Sequence, residues 1–325
     1  MRLDSIINLV DSVSLGYKAW IDERTYAPMA SKPRVKKDFY NYVENSVAFG
    51  IVPGTKPDQH KLAIRSWTED GLKAPYVQNA ISLAHGEVDA KVTGVIRAPR
   101  PFAQDEQFTM KERMRPLRAG FSIGNFAITA GTLGCFVKTW TGKVMILSNF
   151  HVLVGDHGKK GDAILQPGSY DGGRNPDDEI GALRNFVQVK QAGNIMDAAI
   201  ASIHRKNRPS DFTVPYIGKL TDLIMNPEDV LDVQKTGRTT GHQKGKVTAI
   251  NLRGVAVNYG PMGVCTFDNC IEIGTPGFSA GGDSGSLVVD KDNNPYGLLF
   301  AGSESHTILN PIGPVLKQFH VKIAR

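Results

Sequence analysis

The feature that most constrains the fold is a succession of short β-like runs that fills the chain from Gly120 onward. Gly, Asn or Asp turns separate each run from the next. The runs are residues 131–139, 144–148, 198–203, 230–236, 245–251, 254–258, 270–273, 286–289 and 295–301. Many short strands joined by turns indicate a β-sandwich or a β-barrel. Near the end of the chain, only residues 314–319 are predicted to be helical.

Residues 1–98 have a different organisation and predict a small N-terminal α/β module. Its predicted elements are a helix over residues 3–22, a hairpin of strands 47–52 and 61–67, a helix over 76–84 and a strand over 88–96. Residues 99–118 show neither the helical nor the strand periodicity of apolar residues. They are rich in Pro, Arg and acidic residues, which predicts an exposed linker or arm. Residues 119–325 form the predicted second domain.

Charge and hydropathy exclude several classes of partner. The net charge of +6 is spread along the chain, and the basic clusters near residues 32–37 and 111–118 are typical of a solvated face or linker. No nucleic-acid partner is therefore expected. No window reaches the roughly 18 uninterrupted apolar residues of a membrane span, so no membrane association is expected either.

The cysteine content favours a reducing compartment. The chain has three cysteines, Cys135, Cys265 and Cys270, and an odd, sparse set argues against a disulfide-built secreted domain. The first apolar run is too short for a signal peptide, so a cytoplasmic location is expected. We interpret Cys135 as a buried small hydrophobic residue and not as a nucleophile. No metal-binding motif occurs, and we expect no cofactor and no metal.

Three segments carry candidate chemistry. Glycines flank Ser284 in Gly-Gly-Asp-Ser-Gly-Ser, which exposes the hydroxyl and aims backbone N–H groups at one point. His151 directly follows a predicted strand, and Asp197 opens another, where a buried carboxylate needs a partner such as an imidazole N–H. Any one of these segments is weak evidence, because short motifs often match by chance. Together they follow the order His, Asp, Ser, with gaps of 46 and 87 residues.

This order and spacing resemble those of the chymotrypsin-like double β-barrel, and differ from those of α/β-hydrolases and subtilisins. Residues 235–247, Lys-Thr-Gly-Arg-Thr-Thr-Gly-His-Gln-Lys-Gly-Lys-Val, resemble the strand–turn–strand of the bacterial α-lytic protease and streptogrisin branch. Residues 295–302 resemble the strand that walls the substrate cleft. The resemblance covers about residues 120–325. It implies a mainly β fold, a chymotrypsin-like double six-stranded β-barrel with a small N-terminal α/β module.

The resemblance implies a catalytic triad. Ser284 would be the nucleophile, His151 the general base and then acid, and Asp197 the group that fixes the imidazole tautomer. The backbone N–H groups of Gly282 and Ser284 would form the oxyanion hole. Peptide-bond hydrolysis through an acyl-enzyme follows, with a protein or peptide as substrate.

The resemblance also implies supporting and specificity residues. Arg238 would pair with Asp283, the carboxylate just before the nucleophile, through a bidentate guanidinium that lysine does not reproduce. The residues expected in the primary substrate pocket are Phe278, Ser279, Leu299, Ala301 and Gly302. Because this set contains no carboxylate, cleavage after small or medium apolar residues is predicted.

Some positions depart from the relatives. Their disulfide positions hold Val152, Gln234, Lys244 and Phe278, which agrees with an intracellular enzyme. The position whose serine hydroxyl commonly supports the triad aspartate holds Phe300. The outer hydrogen bonds to Asp197 must then come from backbone N–H groups or from a side chain that the sequence does not identify.

The leading hypothesis is an intracellular serine endopeptidase regulated by its N-terminal module. One rival is a protease-fold scaffold or sensor with little turnover, and another is a nucleic-acid-binding protein that uses the basic arm. The module has two interpretations that stay open. It faintly resembles the pro-regions that assist folding in the α-lytic branch, which would be cut away within residues 99–118, or it is a permanent domain that binds a regulatory protein partner.

Overall fold

The structure is a computed structural model that describes residues 1–26, 46–98, 109–128 and 130–325. The helices are α1 (Leu3–Tyr26), α2 (Glu69–Lys73), α3 (Pro75–Leu83), α4 (Phe150–Leu153) and α5 (Ile312–Phe319). The strands of the N-terminal part are β1 (Val47–Val52), β2 (Lys61–Ser66) and β3 (Val88–Val92). The predicted order of elements before residue 98 is confirmed, although the last strand ends four residues earlier than expected.

The remaining strands follow in two groups. The first group is β4 (Ser122–Asn125), β5 (Gly131–Thr132), β6 (Cys135–Thr139), β7 (Val144–Ser148), β8 (Ala163–Leu165), β9 (Glu179–Phe186) and β10 (Ala199–Ser202). The second group is β11 (Asp232–Gly237), β12 (Gly241–Arg253), β13 (Val255–Asn258), β14 (Val264–Phe267), β15 (Cys270–Ile273), β16 (Leu287–Asp290), β17 (Pro295–Gly302), β18 (Thr307–Pro311) and β19 (Val321–Ile323).

Six strands of the second group form a closed barrel. Their order is β11-β16-β17-β18-β15-β12, and the pairing of β11 with β12 closes the ring. Strand β12 is long enough to serve two neighbours in this ring, and register shifts between Val247 and Leu252 let it bend while it does so. The other sheet, β19-β6-β7-β10-β9-β8-β4-β5, forms a second half-barrel. This is the chymotrypsin-like architecture that the sequence predicted.

The N-terminal strands extend the sheet of the closed barrel. Strand β1 pairs antiparallel with β2 and also with β12, where Phe49 lies opposite Arg253. Strands β2 and β3 are parallel, and α2 and α3 make the crossover that parallel strands require. On β2, Arg65 donates to both oxygens of Glu272 on β15, at 2.9 and 2.8 Å, and both side chains are buried. The division of the chain into separate domains stays a prediction.

The second half of the predicted arm packs against the half-barrel. The side chains of Met110 and Leu117 are buried, and the backbone N–H of Met114 donates to Oε1 of Gln166 at 2.8 Å. The expectation of an exposed arm is therefore wrong for this part, because its apolar residues reach the core. Residues 99–108 lie outside the described residues.

Candidate active site

Strand pairing brings His151 and Asp197 together. Strand β7 leads into α4, which carries His151, and β10 begins two residues after Asp197. Antiparallel pairing of the two strands places Ala199 opposite Ser148. Nδ1 of His151 lies 2.6 Å from Oδ2 of Asp197, and the backbone N–H of His151 donates to Oδ1 at 3.3 Å. The carboxylate thus holds the imidazole in one orientation.

The buried carboxylate of Asp197 has a further donor that sequence reasoning missed. The hydroxyl of Tyr259, in the turn after β13, donates to Oδ2 of Asp197 at 2.6 Å. The main chain of Asp197 is also fixed, because its N–H donates to Asn310 Oδ1 at 2.9 Å and its carbonyl accepts from Asn149 Nδ2 at 2.7 Å. Nothing in the sequence marks Tyr259, which lies 62 residues from Asp197.

Phe300 lies at one end of a column of aromatic rings that leads to His151. The rings of Phe300 and Phe267 pack with centroids 4.8 Å apart, and Phe267 stacks on Tyr259 at 5.8 Å. Tyr259 in turn meets His151 edge to face at 5.9 Å. Phe300 therefore supports the ring that carries the hydroxyl, and does not supply a hydroxyl itself.

Ser284 lies against the segment that carries His151, but its hydroxyl is turned elsewhere. A Cβ atom on Gly131 would meet Val152 at 2.4 Å and the carbonyl oxygen of Ser284 at 3.0 Å, so these two residues flank one glycine. Oγ of Ser284 donates to the carbonyl oxygen of Phe300 at 3.5 Å. No hydrogen bond joins it to His151, whose Nε2 is buried and has no partner among the described residues. The structure thus joins two of the three predicted triad members by a hydrogen bond.

Two backbone N–H groups beside Ser284 have no acceptor among the described residues. The carbonyl of Gly281 accepts from Thr239 Oγ1 at 2.7 Å, and the carbonyl of Asp283 accepts from Ser286 N at 3.0 Å. In a trans peptide the N–H points opposite to the carbonyl. The N–H groups of Gly282 and Ser284 are therefore turned away from these anchors. Gly282 adopts φ +101°, which strongly favours glycine.

Asp283 is fully buried and is surrounded by donors. Nζ of Lys235 lies 3.1 Å from Oδ2, which also accepts from Ala280 N at 3.0 Å and Thr240 Oγ1 at 2.7 Å. Oδ1 accepts from the N–H groups of Thr239 and Thr240 at 2.7 and 3.1 Å. Burial alone would raise the pKa of Asp283, but the Lys235 charge and these hydrogen bonds hold it below its usual value. Asp283 is therefore anionic.

The predicted pairing of Arg238 with Asp283 is wrong. Side chains alternate between the two faces of a strand, and Lys235 and Gly237 share the face of β11 that meets Asp283. A Cβ atom on Gly237 would lie 2.6 Å from Asp283 Oδ1. Arg238, one residue further, points to the other side and binds both carboxylate oxygens of Asp171, with Nε to Oδ2 at 2.8 Å. Lys235 is therefore the cationic partner of Asp283, the role that was predicted for Arg238.

Arg238 links the half-barrel to the loop that carries Gly282. Its partner Asp171 ends a short 3-10 helix between β8 and β9, and the pair is buried. A Cβ atom on Gly282 would meet Nη1 of Arg238 at 2.8 Å, and the guanidinium lies over the ring of Tyr170 at 5.4 Å. The ion pair therefore lies directly beneath the Gly282 backbone.

The residues predicted for the substrate pocket come together near β17, although several are fully packed. Phe278 and Leu299 belong to one buried apolar cluster, and Ala301 is also buried. Oγ of Ser279 lies 2.6 Å from Thr307 Oγ1 and 3.5 Å from the position of a Cβ atom on Gly302. A cleft of about 730 Å³ also borders His151. Its lining includes His151, Tyr170, Tyr259, Met262 and Ala98.

The three cysteines are buried and unpaired. Burial raises the pKa of Cys135 to about 12, and burial together with Asp197 raises the pKa of Cys265 to about 11. Burial raises the pKa of Cys270 as well. All three thiols are therefore neutral at pH 7, as a small apolar residue would be, and Cys135 lacks the thiolate that a nucleophile needs.

No group of three or more His, Cys, Asp or Glu side chains in residues 1–26, 46–98, 109–128 and 130–325 is placed to hold a metal ion. Among the helices that the structure describes, none is both long and apolar enough to span a membrane.

No family model and no curated protein matches the chain. Solved structures that resemble it include a glutamic-acid-specific serine protease, with 21% identity over 64% of this chain and 100% of that chain, and a TM-score of 0.46. Thermobifida fusca Protease A (16% identity, 64% and 97%, TM-score 0.46) and a chymotrypsin of Cellulomonas bogoriensis (20% identity, 64% and 97%, TM-score 0.45) are further examples.

The chain has a chymotrypsin-like protease fold. Its strand order, with a closed six-stranded barrel beside a half-barrel, carries this statement.

Proposed function

We propose that the protein is a serine endopeptidase that hydrolyses peptide bonds through an acyl-enzyme. The observation that carries the proposal is the 2.6 Å contact between His151 and Asp197, together with a buried Nε2 of His151 that has no partner among the described residues. An imidazole oriented by a carboxylate, with its second nitrogen free, is the arrangement that activates a serine hydroxyl.

The proposed reaction assigns one step to each group. Ser284 Oγ attacks the carbonyl carbon of the substrate while its proton passes to Nε2 of His151. The C–N bond breaks as His151 returns this proton to the leaving amine, and water then hydrolyses the ester by the same route. Asp197 keeps the imidazole in the tautomer that accepts at Nε2 and stabilises its cationic form.

The free N–H groups of Gly282 and Ser284 would bind the oxyanion that forms during attack. Each such donor is typically worth about 3 kcal/mol to the transition state. For attack to occur, the Ser284 hydroxyl must leave the carbonyl of Phe300 and form a hydrogen bond with His151. Catalytic hydrogen bonds often tighten only when substrate is bound.

A protease-fold scaffold or sensor with little turnover is the second candidate. One observation favours it, namely that the Ser284 hydroxyl is engaged by Phe300 and makes no hydrogen bond to His151. Incubation with a mixed peptide library, followed by mass spectrometry, separates the two. We expect the wild type and the exposed-serine control Ser210→Ala to cleave peptides, and Ser284→Ala to leave them intact. No cleavage by the wild type would favour the scaffold, and equal cleavage by Ser284→Ala would contradict Ser284 as the nucleophile.

The same library tests specificity. The predicted pocket residues include no carboxylate that would pair with a basic side chain, so we propose cleavage after small or medium apolar residues. A product set dominated by cleavage after Lys or Arg would contradict this assignment.

We also propose a cytoplasmic location, which the three unpaired buried thiols support. Fractionation of the cells that make the protein tests it, with the cytoplasmic fraction as the expected location and a secreted fraction as the contrary result.

Regulation by the N-terminal module belongs to the proposal because the last residues of that module pair with β17. The N–H of Arg97 donates to the carbonyl of Gly302 at 2.9 Å, and the N–H of Gly302 donates back to Arg97 at 2.9 Å. Gly302 lies two residues beyond Phe300, whose carbonyl holds the Ser284 hydroxyl. The segment therefore occupies a strand edge that leads to the candidate nucleophile.

The same segment is bonded on its other side to the end of β13. Asn258 donates to Ile96 at 2.9 Å and accepts from Ala98 N at 3.2 Å. Because an extended peptide would bind such an edge by backbone hydrogen bonds, we propose that residues 96–98 compete with substrate for it.

The variant Arg97→Pro tests this regulation, since proline removes the N–H donor and Arg97→Ala keeps it. Loss of one backbone hydrogen bond is expected to raise peptide turnover roughly two- to tenfold in Arg97→Pro, with Arg97→Ala unchanged. A fall in turnover in Arg97→Pro would instead identify the module as a permanent part that completes the site.

A further inference from the structure

Two donors share one oxygen of the Asp197 carboxylate. Oδ2 lies 2.6 Å from Nδ1 of His151 and accepts from the Tyr259 hydroxyl at 2.6 Å, whereas Oδ1 accepts, among the described residues, from the backbone N–H of His151 alone, at 3.3 Å. We infer that Tyr259 is a positioning residue of this active site, which acts on His151 through Asp197. The inference rests on the proposed function, because it assigns a role in the same reaction.

The hydroxyl of Tyr259 is held in place from several sides. The ring is buried, stacks on Phe267 with an interplanar angle of 20° and meets the His151 ring at 83°. The backbone N–H of Tyr259 donates to the carbonyl of Gly263 at 2.8 Å, which closes the turn after β13. The neighbouring Asn258 is fixed by its hydrogen bonds to residues 96 and 98. The donor therefore reaches Asp197 with little freedom to move.

Tyr259 offers a donor without adding a charge. Burial first, and then the nearby carboxylate of Asp197, raise the pKa of Tyr259 well above its usual value, so the hydroxyl keeps its proton. Among the described residues, no lysine or arginine forms an ion pair with Asp197. The thiols of Cys265 and Cys270 are also neutral. Besides Tyr259, the ionisable groups that line the cleft with His151 are Asp156, His157, Lys159, Asp162 and Tyr170.

A neutral donor on Oδ2 has two consequences for His151. It fixes the carboxylate plane that orients the imidazole, and it draws part of the negative charge away from the shared oxygen. Removal of the hydroxyl leaves more negative charge on the shared oxygen, which stabilises the cationic imidazole of His151 relative to the neutral one. Since the neutral imidazole is the form that accepts the Ser284 proton, activity would then begin at a higher pH.

The test compares Tyr259→Phe with Tyr296→Phe. Both variants remove one hydroxyl from a buried tyrosine, but that of Tyr296 donates to the carbonyl of Pro227 at 2.9 Å, away from Asp197. For Tyr259→Phe we expect kcat to fall about tenfold with little change in KM, and the acid limb of the pH–rate profile to move to higher pH. For Tyr296→Phe we expect no change in the position of that limb.

A second measurement does not depend on turnover. The proton between His151 Nδ1 and Asp197 should give a downfield proton NMR signal, and Tyr259→Phe should shift it whereas Tyr296→Phe should not. An unchanged signal and an unchanged acid limb in folded Tyr259→Phe would overturn the positioning role. If the wild type has no Ser284-dependent turnover but the signal shifts as expected, the proposed function fails and the coupling of Tyr259 to His151 stands.

Discussion

The two buried carboxylates of the site, Asp197 and Asp283, are treated differently by the protein. Both are fully shielded from solvent, yet Asp283 is paired with the ammonium group of Lys235, whose pKa burial lowers, and Asp197 meets the imidazole of His151 and the neutral hydroxyl of Tyr259. An ion pair suits a carboxylate that holds a loop in one shape. Neutral donors suit a carboxylate that must respond when the imidazole next to it gains a proton.

The largest effect on kcat is expected from substitutions of Asp197 and His151. Asp197→Asn keeps the size of the side chain but no longer favours the catalytic tautomer of His151, and should reduce kcat by about 10⁴-fold. His151→Ala should cost at least as much, because the general base itself is lost. Peptide hydrolysis under single-turnover conditions measures both variants. Near wild-type turnover in Asp197→Asn would break the comparison, since Asp197 would then be only structural.

At Asp283, the substitution Lys235→Met should mainly reduce the stability of the fold. Removal of the cation leaves Asp283 buried without its ion-pair partner, which should reduce the free energy of unfolding by roughly 3–5 kcal/mol. Chemical denaturation measures this loss. The double variant Lys235→Met, Asp283→Asn should recover part of it, because no uncompensated charge remains. A single variant as stable as the wild type would show that Lys235 is not the charge partner.

Substitutions of Arg238 and Asp171 test whether Arg238 acts through the ion pair with Asp171 that the structure shows, and not through the pairing with Asp283 that the sequence predicted. Arg238→Lys should lower kcat about tenfold, because an ammonium does not bind both oxygens of Asp171 and support Gly282 at once. Asp171→Asn should have a similar effect. If Asp171→Asn were silent while Arg238→Lys was impaired, Arg238 would act through a partner other than Asp171.

The smallest expected effect is a pH dependence of stability that comes from Asp283. The pKa of Asp283 is lower in the folded chain than its ordinary value of 3.8. The carboxylate therefore adds stability above that ordinary value, and the gain is lost as the pH falls through the lower, folded pKa. Denaturation curves between pH 7 and pH 2 should show a shallower acid loss in Asp283→Asn than in the wild type. Identical slopes would contradict the assignment.

The sequence predicted those parts of the site that depend on local order along the chain. The spacing of His151, Asp197 and Ser284 reflects where strands begin and end, and the β7–β10 pairing brings the first two into contact. The assignment of Arg238 as the partner of Asp283 was wrong because the partner depends on which face of β11 each residue occupies. A motif of consecutive residues does not show which face of the strand meets Asp283.

Contacts between distant segments were also outside the reach of the sequence. Tyr259 reaches Asp197 only because β13 and β14 bring a turn beside the half-barrel. In the sequence, Phe300 indicated only that the expected serine hydroxyl next to Asp197 is absent from that position. Strands such as β8, with three residues, and β18, with Asn310 and Pro311, carry too weak an alternation to be predicted. The pairing of β1 with β12 joins segments about 200 residues apart, and no periodicity encodes it.

The central claim is that Ser284 is a nucleophile activated by His151, and a fluorophosphonate probe tests it most directly. The wild type should gain one covalent adduct, mapped by mass spectrometry to the peptide that contains Ser284. Ser284→Ala should gain none, and His151→Ala should react far more slowly, while Ser210→Ala should react like the wild type. A folded wild type that remains unlabelled, or an adduct mapped to another residue and retained in Ser284→Ala, would contradict the claim.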